Sequence, residues 1–390
     1  MGKNYDVVIV GAGIIGIMNA YKLAEADKSV LVLERADSCV GAGGGSQGVV
    51  SWYTKQPGFH RDLFMKSWYG LHKLEEEFGT LHINWNEGYL QVAESDEEME
   101  EVYKTYKTAE IPEGFHIYVL DHKETLEAEP YVRPDIKGSL YIPECGYFDL
   151  LPFIFQMRSK ATGKGATFIN EAEVTGLIKN ENRILGVHST KGDFYADTVI
   201  NCAGYFGSNI AKMAGLDLSI KPRRGHTLVC QQMPPMIHHN VYGMLYNIIK
   251  YHPELVKDPI IREHGINCTL HQTDDGSIYI TGSREMVGYD KSANNDVIRL
   301  ILEGAIQRFP VLKDILVLRC FTGLRPYTED GLPMIGAIDG LDGFMMCAGH
   351  EGDGIALSCV TGDIMRDLLT KGSTDIADMS RLSPMRYLKN

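Results

Sequence analysis

Apolar residues run from Val7 to Val10 and give way to three glycines, Gly11, Gly13 and Gly16, at the spacing G-x-G-x-x-G. The run reads as a buried strand. The small and apolar residues beyond it, through Ala20, Leu23 and Ala24, read as a helix. A second apolar run over 29–33 ends in Glu34. Strand, glycine turn, helix and strand in that order form the unit that binds a dinucleotide. Gly11 permits the tight turn, Gly13 lets backbone approach a pyrophosphate, and Gly16 lets the helix pack on the strand. The start of the helix supplies free N–H groups and a positive dipole end. Glu34, about 20 residues on, can accept hydrogen bonds from ribose hydroxyls.

Further strands are expected at 167–169, 173–178, 184–188, 194–197 and 198–201, the last running into Cys202, Ala203 and Gly204. Small residues at a strand end let backbone approach a ligand closely. Their distance from the first glycine loop implies a dinucleotide domain assembled from separated segments. A second glycine-rich stretch, with Gly44, Gly45, Ser46, Gln47 and Gly48, can lie against a flat ring or phosphates, or form a flexible loop. Near the C-terminus, residues 322–336 read as a turn-rich segment around Arg325. An apolar strand over 343–348 then enters Gly349, His350, Gly352, Asp353, Gly354 and Ile355 before a helix. That turn offers a second helix start to an electron-rich ligand, although Asp353 could serve as an N-cap and His350 as a turn hydrogen-bonder. The charged run 94–101 reads as a solvated helix face.

Composition narrows the class. The chain has 390 residues, 44% hydrophobic and 23% charged, enough for two domains and a large core. A net charge of −13 argues against nucleic acid or an anionic membrane as main partner. No apolar stretch approaches the roughly 20 residues of a membrane span. The first strand starts so early that no signal peptide is expected. The eight cysteines include Cys39, lack any C-x-x-C pair and predict no metal site. A reduced, cytoplasmic protein is expected.

These stretches, with 272–290, 323–333 and 349–357, resemble the D-amino-acid-oxidase-like flavoproteins. Within that family they look like the β-type catalytic subunits of opine oxidase, D-hydroxyproline dehydrogenase and hydrogen cyanide synthase. The resemblance covers essentially the whole chain. It implies an α/β fold, with a Rossmann-like FAD domain from 1–75, 143–217 and 322–390. An interleaved antiparallel-sheet substrate domain would come from 76–142 and 218–321. It implies non-covalent FAD rather than NAD, with Gly11, Ala12, Gly13, Ile15, Gly16, Glu34 and Arg35 on the ADP half. Val174 would meet the adenine side, and Cys202, Ala203 and Gly204 would border the cofactor. Gly44 to Gly48 would lie near the ring, and Gly349 to Ile355 at its pyrimidine end.

Arg325 occupies the place of the arginine that holds the substrate carboxylate in glycine oxidase relatives, while a further arginine of those enzymes is matched by Gly352. The implied reaction is oxidation of an amino acid or secondary amine of the D-amino acid, D-proline, opine or sarcosine class. A hydride passes to flavin N5 and an imine forms. The alternative is a 2-hydroxyacid or glycerol-3-phosphate dehydrogenase. Tyr246, Tyr327 and His226 are further polar candidates; Tyr327 could simply pack beside Pro326, and Arg325 could form a structural salt bridge. A companion electron-transfer subunit or a homo-oligomer is the expected partner.

Overall fold

The computed structural model describes residues 4–38, 40–85 and 87–388, so Cys39 lies outside the described residues. Alternation within the first strand, Asn4–Val10, sets the architecture. Val7 and Ile9 face one core and Val8 and Val10 the other. A strand buried on both faces belongs at the centre of a parallel sheet covered on both sides. It pairs in parallel with Val30–Leu33 on one side and Gly192–Asn201 on the other. Thr167–Ile169 extends the sheet beyond Val30–Leu33, and Leu341–Ala348 lies beside Gly192–Asn201. The antiparallel pair Val174–Asn180 and Arg183–Ser189 completes that side, and Met334–Ile338 pairs with Leu341–Ala348. Gly192–Asn201 is one continuous strand where two segments are expected. Ser29 stays outside the second strand and hydrogen-bonds Asp6 instead.

One face of this sheet packs under the helices Ile14–Glu25, Leu150–Gly163 and Ser358–Lys371. Gly16 shows why the third glycine is needed. A Cβ there would lie 2.0 Å from the carbonyl oxygen of Gly11, which itself has φ +105°.

The second sheet has eight strands. Its order is Val317–Tyr327, Lys221–Gln232, Ser277–Thr281, Thr269–Gln272, Asn240–Gly243, Tyr89–Ala93, Gly138–Ile142 and Tyr118–Leu120. Every pairing is antiparallel except that of Asn240–Gly243 with Tyr89–Ala93. Helix Asn295–Arg308 covers one face, burying Val297, Ile301 and Ala305 at four-residue spacing.

The segment read as turn-rich around Arg325 proves to be an edge strand, Val317–Tyr327, and only 328–333 form turns. Gly323 and Pro326 look like breakers in isolation. In the sheet they stand opposite Gly225 and Pro222 of the neighbouring strand, so the interruptions coincide. Proline is tolerated on an edge strand.

Candidate active site

A cavity of about 460 Å³ lies where the C-terminal ends of the parallel strands meet the second sheet. That is where open α/β sheets bind ligands. Gly11, Glu34, Cys202 and Gly349 bring the strand ends to its wall; Gly225, Thr227, Thr281 and Arg325 bring the second sheet.

At one end, Gly13 begins helix Ile14–Glu25 with no side-chain cap, and nothing lies within 4 Å of where its Cβ would be. An uncapped helix start facing an open cavity suits a pyrophosphate. Glu34 accepts the Ala12 N–H at 2.8 Å and the Ala36 N–H at 3.0 Å. These bonds fix its carboxylate at the wall and leave lone pairs for a hydroxyl. Arg35 stacks on Phe206 at 4.0 Å, and Val174, Ala203 and Gly204 line the same end.

In the middle, the turn Gly43–Gly45 rests against the Arg325 strand, where a Cβ on Gly45 would meet the Gly323 Cα at 2.5 Å. Gln47 ties this loop to the second sheet, donating to Tyr242 at 3.2 Å and accepting from Thr281 at 2.9 Å. Ser46 caps the N–H of Gly48 at 3.1 Å.

The inner end is ionic. Asp353 is not an N-cap, since Leu357 holds that position for helix Ser358–Lys371. It is buried between Lys55 at 2.9 Å and Lys250 at 3.0 Å. Burial raises the Asp353 pKa, but Lys250 and Lys55 outweigh it and hold the carboxylate well below its usual range. Burial also lowers Lys55 despite Asp353, with Lys250 adding to the effect, while Asp353 overcomes burial at Lys250 and raises it. His60 falls to about 4 by burial and stays neutral. His350, lowered to about 3 by burial, meets the Thr361 hydroxyl at 3.1 Å. Glu351 pairs with Arg223; burial opposes its charge, but Arg223 and Arg325 hold it down at about 2.

Arg325 is placed by a glycine. Its guanidinium lies flat on Gly225, where a Cβ would sit 2.3 Å from Nη1, and Nη1 donates to the Ser283 carbonyl at 3.0 Å. Burial lowers it to about 10; Glu351 opposes the shift and Arg284 and Arg223 add to it. At any physiological pH it is a charged fork. Arg284 stands over the Tyr246 ring at 4.9 Å. Burial raises the Tyr246 phenol, but Arg284 and Lys250 outweigh it and the net shift is downward.

Of the residues expected here, Gly11, Gly13, Ile15, Glu34, Arg35, Gly45, Ser46, Gln47, Val174, Cys202, Ala203, Gly204, Tyr246 and Arg325 line the cavity. Gly349, His350, Gly352, Asp353, Gly354 and Ile355 do too. Ala12, Gly16, Gly44, Gly48, His226 and Tyr327 stand outside it. His226 is 1% exposed, with its ring between the Ser283 hydroxyl at 2.8 Å and the Asn294 N–H at 3.0 Å. Tyr327 carries Arg223 on its ring face at 4.5 Å. Lys55, Lys250, Arg284 and Gly225 were not expected. Arg284 falls in the Gly282-Ser283-Arg284 stretch, whose glycine beyond a strand is a weak signal; the others are isolated residues that only the fold brings together.

A Rossmann-type strand–helix start and a cleft at the strand ends, with a charged inner pocket, define a dinucleotide-binding α/β protein. The model of the DAO family, described as FAD dependent oxidoreductase, matches residues 6–368, and the chain belongs to that family. It is therefore an FAD-dependent oxidoreductase. It is 26% identical to hydrogen cyanide synthase subunit HcnC of Pseudomonas protegens, covering 95% of this chain and 94% of that one. It is 25% identical to an opine oxidase subunit of Rhizobium meliloti, covering 98% and 97%. Among solved structures, L-proline dehydrogenase from P. horikoshii superposes with a TM-score of 0.85 at 23% identity, covering 100% and 99%. Glycine oxidase from Geobacillus kaustophilus gives 0.83 at 23%, covering 99% and 100%. No helix among the described residues is long and apolar enough to cross a membrane.

Proposed function

We propose that this enzyme oxidises an amino acid or a carboxylate-bearing secondary amine to its imine, with Arg325 holding the substrate carboxylate. The observation that carries the reading is the Arg325 fork at the cavity wall with a backbone carbonyl, not a carboxylate, as its partner. A guanidinium there is a bidentate receptor for a carboxylate. The relatives act on compounds of this kind by their names: glycine oxidase, opine oxidase, sarcosine dehydrogenase.

Gly11, Gly13, Glu34 and Arg35 would hold the ADP half of non-covalent FAD, with Gly45 to Gln47 beside its ring and Gly349 to Ile355 at the pyrimidine end. When bound, FAD supplies the two-electron acceptor for the hydride on the carbon next to nitrogen. Arg325 fixes that carbon by clamping its carboxylate, and such positioning contributes much of the rate. An amine delivered neutral, its proton left to solvent, needs no protein base, and Tyr246 on the same cavity wall offers it a hydroxyl to hydrogen-bond. The chain divides into an FAD unit of 1–75, 143–217 and 322–390 and a substrate unit from the rest, although strand Val317–Tyr327 runs through the boundary at 322. Two relatives are named as subunits, one of hydrogen cyanide synthase and one of opine oxidase, and this supports a companion subunit as electron acceptor.

Lys55, Lys250 and Arg284 also give weight to a second reading, oxidation of a 2-hydroxyacid or of glycerol 3-phosphate, because clustered cations suit a phosphate. Asp353 between the two lysines weighs against it. Anaerobic exposure of the yellow enzyme to D- and N-alkyl amino acids separates the readings. Bleaching by an amino acid supports the first. Bleaching by glycerol 3-phosphate or a 2-hydroxyacid alone overturns it.

A further inference from the structure

The inner end of the cavity carries more cation than its own carboxylates balance. Asp353 is shared by Lys55 and Lys250, and Glu351 is taken by Arg223 and the Gly352 N–H. Glu285, next to Arg284 in sequence, is engaged by Arg224 at 3.1 Å and His264 at 3.0 Å. Among the described residues, neither Arg284 nor Arg325 has a carboxylate within ion-pair distance. Arg284 Nε is buried without a hydrogen-bond partner.

The two forks come from different strands, and the Arg325 fork reaches the Ser283 carbonyl, one residue before Arg284. Arg325 rises from the edge strand and lies over Gly225 on the strand next to it. Arg284 follows the strand beyond, its backbone N–H anchored to the His264 carbonyl at 2.8 Å, and is turned onto the Tyr246 ring. Their strands are separated by an intervening one, so their roots stand roughly 10 Å apart. Two unpaired cations in a low-dielectric pocket are costly unless the ligand neutralises both. One carboxylate would leave one of the two forks without a counter-ion.

We propose that the substrate is a dianion, an amine flanked by two carboxylates, with one carboxylate on Arg325 and the other on Arg284. This rests on the amino-acid reading above and adds the second anchor. A monocarboxylate amino acid occupies Arg325 and leaves Arg284 bare.

The test uses the FAD-loaded full chain and two unreactive ligands in which sulfur replaces the amine: thiodiacetate, a dicarboxylate, and (methylthio)acetate, its monocarboxylate counterpart. Perturbation of the visible flavin spectrum reports binding without turnover. Thiodiacetate is expected to bind about 30-fold tighter, the effect of one charge-assisted contact. Arg284→Gln should bring the two ligands to within about threefold of each other, and Arg284→Lys should restore part of the difference. An unchanged flavin spectrum and melting temperature establish that each variant is folded. Equal binding of both ligands by the unmodified enzyme overturns the proposal. So does a loss in Arg284→Gln that weakens both ligands alike, because then both forks grip one carboxylate. In either case, bleaching by a monocarboxylate amino acid leaves the proposed function standing. If neither ligand binds and a carboxylate-free amine bleaches the flavin, the amino-acid reading and the dianion fall together.

Discussion

Gly225→Ala moves a guanidinium without touching the arginine that bears it. The new Cβ would stand 2.3 Å from Arg325 Nη1 and 2.6 Å from Nη2, where ordinary contact begins at 3.4 Å. The strand is held by ten paired positions along Val317–Tyr327, so the side chain yields rather than the backbone. The fork must retreat by about 1 Å, and displacements of that size cost on the order of 100-fold in rate when they misplace a reacting group. The retreat also breaks the 3.0 Å bond to the Ser283 carbonyl. We expect kcat/KM for the amino-acid substrate to fall by about 30- to 300-fold, close to the loss in Arg325→Ala. Bound FAD and the melting temperature should change little. The assay is anaerobic flavin reduction by stopped flow across substrate concentrations, with FAD content measured in parallel. Unaltered reduction kinetics in Gly225→Ala, with FAD bound, would refute the placement of Arg325 as the clamp.

Other expectations follow from the same geometry. Asp353→Asn leaves Lys55 and Lys250 buried without their shared carboxylate and should cost about 3–5 kcal/mol in urea unfolding; an unchanged midpoint would show that the network contributes nothing. Burial, with Asp274 nearby, raises Glu87 from 4.5 to about 8, so the folded state holds this proton more tightly than the unfolded chain. Its contribution is full below pH 4.5 and is lost as pH rises through 8; Glu87→Gln should therefore raise the melting temperature near pH 9 by several degrees and do little at pH 4. A melting difference that is the same at both pH values would contradict the assignment. Acid precipitation should release FAD into the supernatant, and flavin retained in the pellet would overturn non-covalent binding.

How much of this is legible in the sequence depends on how local each signal is. The first 34 residues carry their element order, because the strand, the glycine turn and the helix are each specified by neighbours a few positions apart. The Arg325 strand is illegible for the opposite reason. Gly323 and Pro326 argue for a turn until their partners Gly225 and Pro222, about a hundred residues earlier, are laid beside them. Arg325 itself stands out by resemblance, whereas the surface it rests on does not. His226 looks like chemistry in the sequence and is a buried hydrogen-bonded ring in the fold. Lys55, Lys250 and Asp353 sit on three separate segments, and no spacing rule links residues 55, 250 and 353.

A carboxylate held on Arg325 presents the C–H beside nitrogen for oxidation in the proposed reaction. The most direct measurement compares anaerobic flavin bleaching by an amine-bearing acid that reduces the enzyme with bleaching by the same amine lacking its carboxylates. Rapid bleaching by the acid is expected, with slow or no bleaching by the decarboxylated amine and loss of the distinction in Arg325→Ala. Equal bleaching by both compounds in the unmodified enzyme would contradict a carboxylate clamp on Arg325.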